Sequence, residues 1–167
     1  DYINEHLKPN GRAGIIVPEG IIYNIGNTFK NLRKKLVDES LIGVISLPAG
    51  VFNPYANVKT SILILDKNKS KKDSSIFFAT INNDGFELGA QRNPINKNDI
   101  PLLMQDIYNY KNGKNDYKIL KIINKDRIKN NNYTLLSRNY QNNDFNYNDN
   151  KNLIKLGDIS EIVTKGT

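Results

Sequence analysis

Short apolar runs bounded by glycine and proline alternate with charged, helix-periodic stretches along the first half of this chain. In "RAGIIVPEGII", residues 13–17 form a nearly continuous apolar run between Gly11 and Pro18, the pattern of a strand buried on both faces of a parallel sheet. Upstream of it, Tyr2, Ile3 and Leu7 fit the end of an amphipathic helix closed by Pro9-Asn10-Gly11. Downstream, Asn27 or Thr28 is placed to cap a helix through "FKNLRKKLVDE", with Phe29, Leu32 and Leu36 on one face and Lys30, Lys34 and Lys35 elsewhere. "LIGVISLP" is a second buried strand, stopped by Pro48. Strand, helix and strand in this order predict a parallel crossover unit. "KTSILILDK" is a third strand, and the loop before it has no room for a helix, so it is expected to return antiparallel, as a hairpin with the second.

The pattern then loosens. "SSIFFATI" reads as a fourth strand and "NNDGFEL" as a turn leading into a short extended piece. Ile100-Pro101 starts a helix carrying Leu103, Ile107 and Tyr110 on one stripe. "DYKILKII" fits strand and helix equally. Residues 141–152, "QNNDFNYNDNKN", are almost wholly polar and read as a linker or surface loop, after which "LIKLGDISEIV" resumes apolar alternation as the first strand of a separate module. The chain opens and closes in mid-pattern, which leads us to expect a fragment of a longer polypeptide. Its first three strands and helix leave one apolar sheet edge open, so further strands are expected elsewhere in that polypeptide.

Composition narrows the chemistry. Lys plus Arg number 24 against 17 Asp plus Glu, a formal charge of +7, which favours a polyanionic partner such as nucleic acid without identifying one. The chain has no cysteine, so disulfides, thiolate catalysis and Cys-based metal sites are excluded. His6 is the only histidine and sits in a polar turn, where it reads as solvated. No apolar run approaches the roughly 18 residues of a membrane span, and no signal peptide is visible, so a cytoplasmic protein is expected.

The stretch "LPAGVFNPYANVKTSILILDK" contains Asn53-Pro54-Tyr55. Enzymes that methylate the exocyclic amine of adenine use an Asn-Pro-Pro-Tyr loop directly after a strand. Here the triplet has one proline and lies inside a hairpin connection, so it reads as a tight turn beside which Tyr55 packs. A dinucleotide- or donor-binding Gly-rich turn after a strand is also missing, because "NGRAG" precedes its strand.

Taken together, "GRAGIIVPEGII", "NTFKNLRKKLVDE", "LIGVISLPAGVFNPYANVKTSILILDK" and "GFELGAQRNPI" resemble the methylation subunit of type I restriction-modification systems, a family of adenine-N6 DNA methyltransferases. The likeness is continuous over residues 1–94 and weaker through "NNYTLLSRNY", while "IKLGDISEIVTKGT" resembles the opening of a target-recognition domain of specificity subunits. The resemblance implies an α/β fold: the C-terminal half of a Rossmann-like methyltransferase sheet, strands five to seven with the last antiparallel, and a mixed α+β extension. It divides the chain into 1–94, the methylase part; 95–140, a helical extension closing that domain; 141–152, a linker; and 153–167, the start of target recognition.

By the same resemblance, S-adenosylmethionine and the Asn-Pro-Pro-Tyr/Phe loop belong to a preceding part of the polypeptide, and the fragment alone is expected to be inactive. No catalytic, cofactor-binding or metal-binding residue is assigned here. Phe52 matches the aromatic residue that stacks on an extruded adenine, a contact worth about 1–3 kcal/mol. Lys59 and Thr60 are the DNA-contact candidates, with Ser61 beside them and Glu19 read as a turn carboxylate. Arg12, Arg33, Lys34, Lys35, Arg92, Arg127 and Arg138 are further phosphate candidates, although Arg33-Lys34-Lys35 reads better as the solvated side of a helix. Expected partners are double-stranded DNA, a specificity subunit or fused recognition domain, and a restriction subunit. The competing reading is a non-catalytic DNA-binding or assembly module built on the same fold.

Overall fold

β3, residues Thr60–Asp66, is the strand around which the fold is organised: it lies between β1 (Arg12–Pro18) and β2 (Leu41–Ser46) and runs antiparallel to both. β1 and β2 therefore run parallel to each other, as the crossover pattern requires, but with β3 inserted between them. β4 (Ser75–Thr80) adds parallel to β2, and β7 (Leu120–Asn124) adds antiparallel to β4, giving the order β1-β3-β2-β4-β7. A separate two-stranded hairpin pairs β5 (Asp84–Phe86) with β6 (Pro94–Asn98). This computed structural model describes residues 1–140, and the polar linker and the strand expected after it lie outside them.

Two apolar layers cover the sheet. On one face α2 (Glu19–Tyr23) and α3 (Asn27–Glu39) bring Ile22, Leu36 and Val37 against Val44, Leu63 and Leu65, and Leu135 and Tyr140 close the same cluster. Val37 and Leu65 are fully buried, and each such side chain contributes about 1.5–3 kcal/mol. On the other face α5 (Ile100–Lys111) sets Leu103, with Ile107 and Tyr110, over Ile45, Phe77, Ala79 and Leu120, the stripe its periodicity predicts. Gly43 is obligatory here, because a Cβ would sit 2.1 Å from the Phe77 ring on the paired strand. Two short helices, α4 (Lys67–Lys72) and α6 (Lys125–Asn130), are capped by the side chains of Asp66 and Asn124. No helix among the described residues is long and apolar enough to cross a membrane.

Five expectations need correction. α3 is capped by neither Asn27 nor Thr28: its cap residue is Gly26, and no side chain caps it. The run 13–17 is not buried on both faces: β1 is an edge strand whose residues alternate in exposure, and Ile16 is 54% exposed. Ala13, Ile15 and Val17 meet the α2–α3 layer, while the α5 layer packs over β2, β4 and β7 and leaves the outer face of β1 open. α1 (Tyr2–His6) forms, but Tyr2 and Ile3 are exposed and Asn4 is the buried residue, bonded to Glu39 at 2.7 Å and to the Ser40 hydroxyl. Tyr55 does not pack beside its turn; it is 94% exposed. Arg33 is not on the solvated side of α3, since only 2% of it is exposed. The undecided "DYKILKII" becomes β7.

Candidate nucleic-acid interface

The parallel strands β1, β2 and β4 all end on one edge of the sheet, the position where open α/β sheets place their ligands. Backbone hydrogen bonds stitch that edge together: Leu47 N–H donates to Thr60 C=O at 3.1 Å, Ile81 N–H to Ser46 C=O at 2.9 Å, and Glu19 N–H to Lys59 C=O at 2.9 Å. Above it stands the β2–β3 loop. Gly50, at φ +81°, begins a tight turn in which Asn53 N–H donates to Gly50 C=O, and Tyr55 and Ala56 N–H both donate to Phe52 C=O. Phe52 is thereby held at the turn with 36% of its surface exposed.

The β5–β6 hairpin leans on this loop. Asn53 Nδ2 donates to Leu88 C=O at 2.8 Å, and a Cβ on Gly50 would lie 2.7 Å from the same oxygen. Close backbone approach thus requires glycine there as much as the positive φ does. Within the hairpin Arg92 pairs with Asp84 and lies over the Phe86 ring, 5.4 Å from its centroid.

Lys59 and Thr60 sit at the mouth of β3, where the edge opens. Lys59 Nζ is 3.0 Å from Glu19 Oε1, both side chains partly exposed. Thr60 is buried, and its Oγ1 has no hydrogen-bond partner among the described residues. Ser61 is buried inside the strand.

The cationic candidates scatter. Arg12 begins β1 at the opposite end of the sheet and binds Asp66 at 2.8 Å. Burial works against ionisation of Asp66, but the Lys69 amide and the Arg12 guanidinium outweigh it, and its pKa falls below the ordinary carboxylate value. Lys35 is bound to Asp1 and Glu5, Lys34 is exposed on α3, and Arg127 lies over the Tyr140 ring. Arg138 is exposed and follows Ser137, whose hydroxyl meets Thr80 Oγ1 at 3.2 Å at the end of β4, so it belongs to the same edge as Phe52. Arg33 instead spans the interior, donating from Nε to Tyr133 C=O at 2.8 Å and from Nη1 to Ile21 C=O at 3.0 Å.

Two relationships escaped the sequence reading: the grip of Glu19 on Lys59 and that of Asn53 on Leu88. Both join residues far apart along the chain, and no local pattern encodes them. The interior place of Arg33 did carry a signal, because it lies four residues after Phe29 and four before Val37, on the apolar stripe of α3.

A family model described as N-6 DNA Methylase matches residues 1–149. The methylase subunit of the type I restriction enzyme MpnII from Mycoplasma pneumoniae is 34% identical over 137 residues, covering 81% of this chain and 24% of that protein. The methylase subunit of the Escherichia coli enzyme EcoEI is 39% identical over 72 residues, covering 42% of this chain and 14% of the relative. The chain therefore spans a quarter or less of the length of these relatives. Among solved structures, the methyltransferase subunit of a type I restriction-modification system from Streptococcus thermophilus superposes with a TM-score of 0.59 at 28% identity, covering 78% of this chain and 27% of that one.

Proposed function

The chain belongs to the N-6 DNA methylase family, and we propose that it forms the DNA-facing part of a type I restriction-modification methylase subunit. In this reading the complete polypeptide transfers a methyl group from S-adenosylmethionine to the N6 amine of adenine in double-stranded DNA. The family match across residues 1–149 carries the proposal, and the half-exposed Phe52 on the loop above the carboxyl edge supports it.

The division of labour follows from the residues present. The described residues do not fit S-adenosylmethionine: no strand among them is followed by a Gly-rich turn. The donor is accordingly assigned to another part of the polypeptide. Phe52 takes the role of stacking on a base drawn out of the duplex, replacing the neighbours the base has lost. Asn53 positions that loop through Leu88. Lys59 supplies a phosphate contact by exchanging Glu19 for the DNA backbone, an exchange that is cheap because partly exposed ion pairs are worth about 0–1 kcal/mol. Thr60, whose buried hydroxyl has no partner among the described residues, completes the mouth of the strand.

Residues 1–94 and 95–140 are assigned to the methylase domain and its closing extension, 141–152 to a linker and 153–167 to the start of target recognition. A specificity subunit or fused recognition domain supplies sequence choice, a restriction subunit is a further partner, and the assembly works in the cytoplasm, where the DNA is. The test is methyl transfer by the complete gene product from labelled donor to mixed DNA. Label recovered in N6-methyladenine supports the reading, and DNA binding without any transfer returns it to a binding or assembly module.

A further inference from the structure

Tyr55 has no role in the site described so far, although it stands on the same loop as Phe52. Its side chain is 94% exposed. Its backbone, by contrast, is fixed. Tyr55 N–H and Ala56 N–H both donate to Phe52 C=O, at 2.9 and 3.1 Å, and the preceding turn is closed by Asn53 N–H on Gly50 C=O at 3.0 Å. Asn53 Nδ2 ties the same turn to Leu88 C=O in the β5–β6 connection. A turn closed in this way keeps the Cα atoms of its first and fourth residues, here Phe52 and Tyr55, within about 7 Å of each other. Two aromatic residues are therefore held close together on one tied loop, and the second has its ring in open water.

A single exposed aromatic residue is common on protein surfaces and needs no explanation by itself. Two features set Tyr55 apart. The residues that share its loop and its anchor are apolar and uncovered: Val58 is half-exposed, and so is Leu88, whose carbonyl holds Asn53. The charge along the loop is also of one sign. Residues 47–59 contain no Asp or Glu, Lys59 ends the loop, and Arg138 stands at the same edge of the sheet. Apolar surface alone would suit a protein partner, but apolar surface rimmed by cations suits a nucleic acid, whose bases offer aromatic faces within an anionic backbone.

Drawing a base out of a duplex leaves its former neighbours in the stack unpartnered, and that loss opposes extrusion. Phe52 relieves only the extruded base. Apolar side chains that enter between base steps relieve the duplex itself, and Tyr55 is the aromatic residue of this loop that is free to do so. We propose that Tyr55 is a wedge that enters the base stack at the position the target adenine vacates, while Phe52 holds the adenine outside it. The proposal rests on the reading that the chain receives an extruded base, and it assigns the other half of that exchange. Because the backbone of the loop is already tied, only the two side-chain torsions of the tyrosine remain to be ordered on insertion.

The test uses a gap made in advance. Binding of the complete gene product to a short random-sequence duplex is compared with binding to the same duplex carrying one abasic position, whose vacant place in the stack needs no extrusion. The unsubstituted protein is expected to prefer the abasic duplex roughly five-fold or more, the lower end of the worth of one aromatic–base stack. Tyr55→Ala is expected to bind both duplexes equally. Tyr55→Phe is expected to keep the preference, because the ring is what stacks, and so is Tyr108→Ala, which removes an exposed tyrosine from α5. The proposal is overturned if the unsubstituted protein shows no preference, if Tyr55→Ala retains it, or if Tyr55→Phe or Tyr108→Ala loses it. Methyl transfer measured on the same preparations separates this result from the fate of the functional reading. Transfer without an abasic preference sinks the wedge alone, whereas a Tyr55-dependent preference without transfer sinks methylation and leaves the wedge in a DNA-binding module.

Discussion

Glu19 holds Lys59 twice, through its Oε1 3.0 Å from the ammonium and through its own N–H donating to the Lys59 carbonyl at 2.9 Å. The backbone bond fixes where the lysine stands and the ion pair fixes where its charge points. Only the second can be exchanged for phosphate. Glu19→Gln keeps the first and removes the second, so it should tighten binding of duplex DNA by the complete gene product roughly two- to five-fold. Lys59→Gln should weaken binding and lower the salt slope by about one, and adding Glu19→Gln to it should change nothing further. Equal effects of Glu19→Gln with and without Lys59 would refute the exchange.

Phe52→Ala should weaken binding of DNA that carries a base analogue already unpaired by about 1–3 kcal/mol. Phe52→Tyr, which keeps the aromatic face, should bind almost as tightly. Analogue fluorescence on binding separates the two: a stacked base is quenched, and the alanine variant should lose that quenching. If quenching survives the alanine substitution, another residue holds the base.

Asn53→Ala deletes the bond to Leu88 without touching Phe52 itself. A loop that is correctly placed less of the time lowers kcat and leaves DNA affinity nearly unchanged, and Asn53→Gln should not restore it because the longer side chain misplaces its amide. Equal losses in kcat and affinity would mark Asn53 as a DNA contact rather than a positioning residue.

Asp66 joins the caps and the core at the other end of the sheet. Its carboxylate accepts the Lys69 amide at 2.8 Å and binds Arg12, which is why its pKa lies below the ordinary value despite burial. A depressed carboxylate contributes stability that is fully present above the unfolded value of about 3.9 and is lost as the pH falls through the lower folded value. Asp66→Ala should cost about 0.5–2 kcal/mol at neutral pH, the range for a lost helix cap. Asp66→Asn should cost less and flatten the acid limb of a denaturation curve. An unchanged acid limb would show that ionisation of Asp66, held by the Lys69 amide and Arg12 together, contributes nothing to stability.

Much of this architecture was legible because breakers bracket its elements. Pro18, Pro48 and the Gly-containing loops mark where β1 and β2 stop, and the stripe of Leu103, Ile107 and Tyr110 placed α5 correctly. What the residues could not tell was which side of an apolar run is covered. "AGIIV" reads the same whether a strand lies central or at an edge, and the difference rests on neighbours far away in the chain. Arg33 was misjudged for a different reason: its charge was weighed before its position, although it stands on the same stripe as Phe29 and Val37. Thr60 illustrates the limit at the site itself, since a buried hydroxyl without a partner is a property of assembled strands rather than of the tripeptide that contains it.

The central claim is that this chain presents an extruded adenine to a donor held elsewhere in the same polypeptide. The most direct measurement is single-turnover methyl transfer from labelled S-adenosylmethionine to mixed DNA, followed by digestion to nucleosides, for the complete gene product and for Phe52→Ala side by side. The account predicts label in N6-methyladenine, with a rate roughly five- to 160-fold lower in the variant, the kinetic equivalent of about 1–3 kcal/mol. Label in a different base, or equal rates in the two proteins, would contradict it.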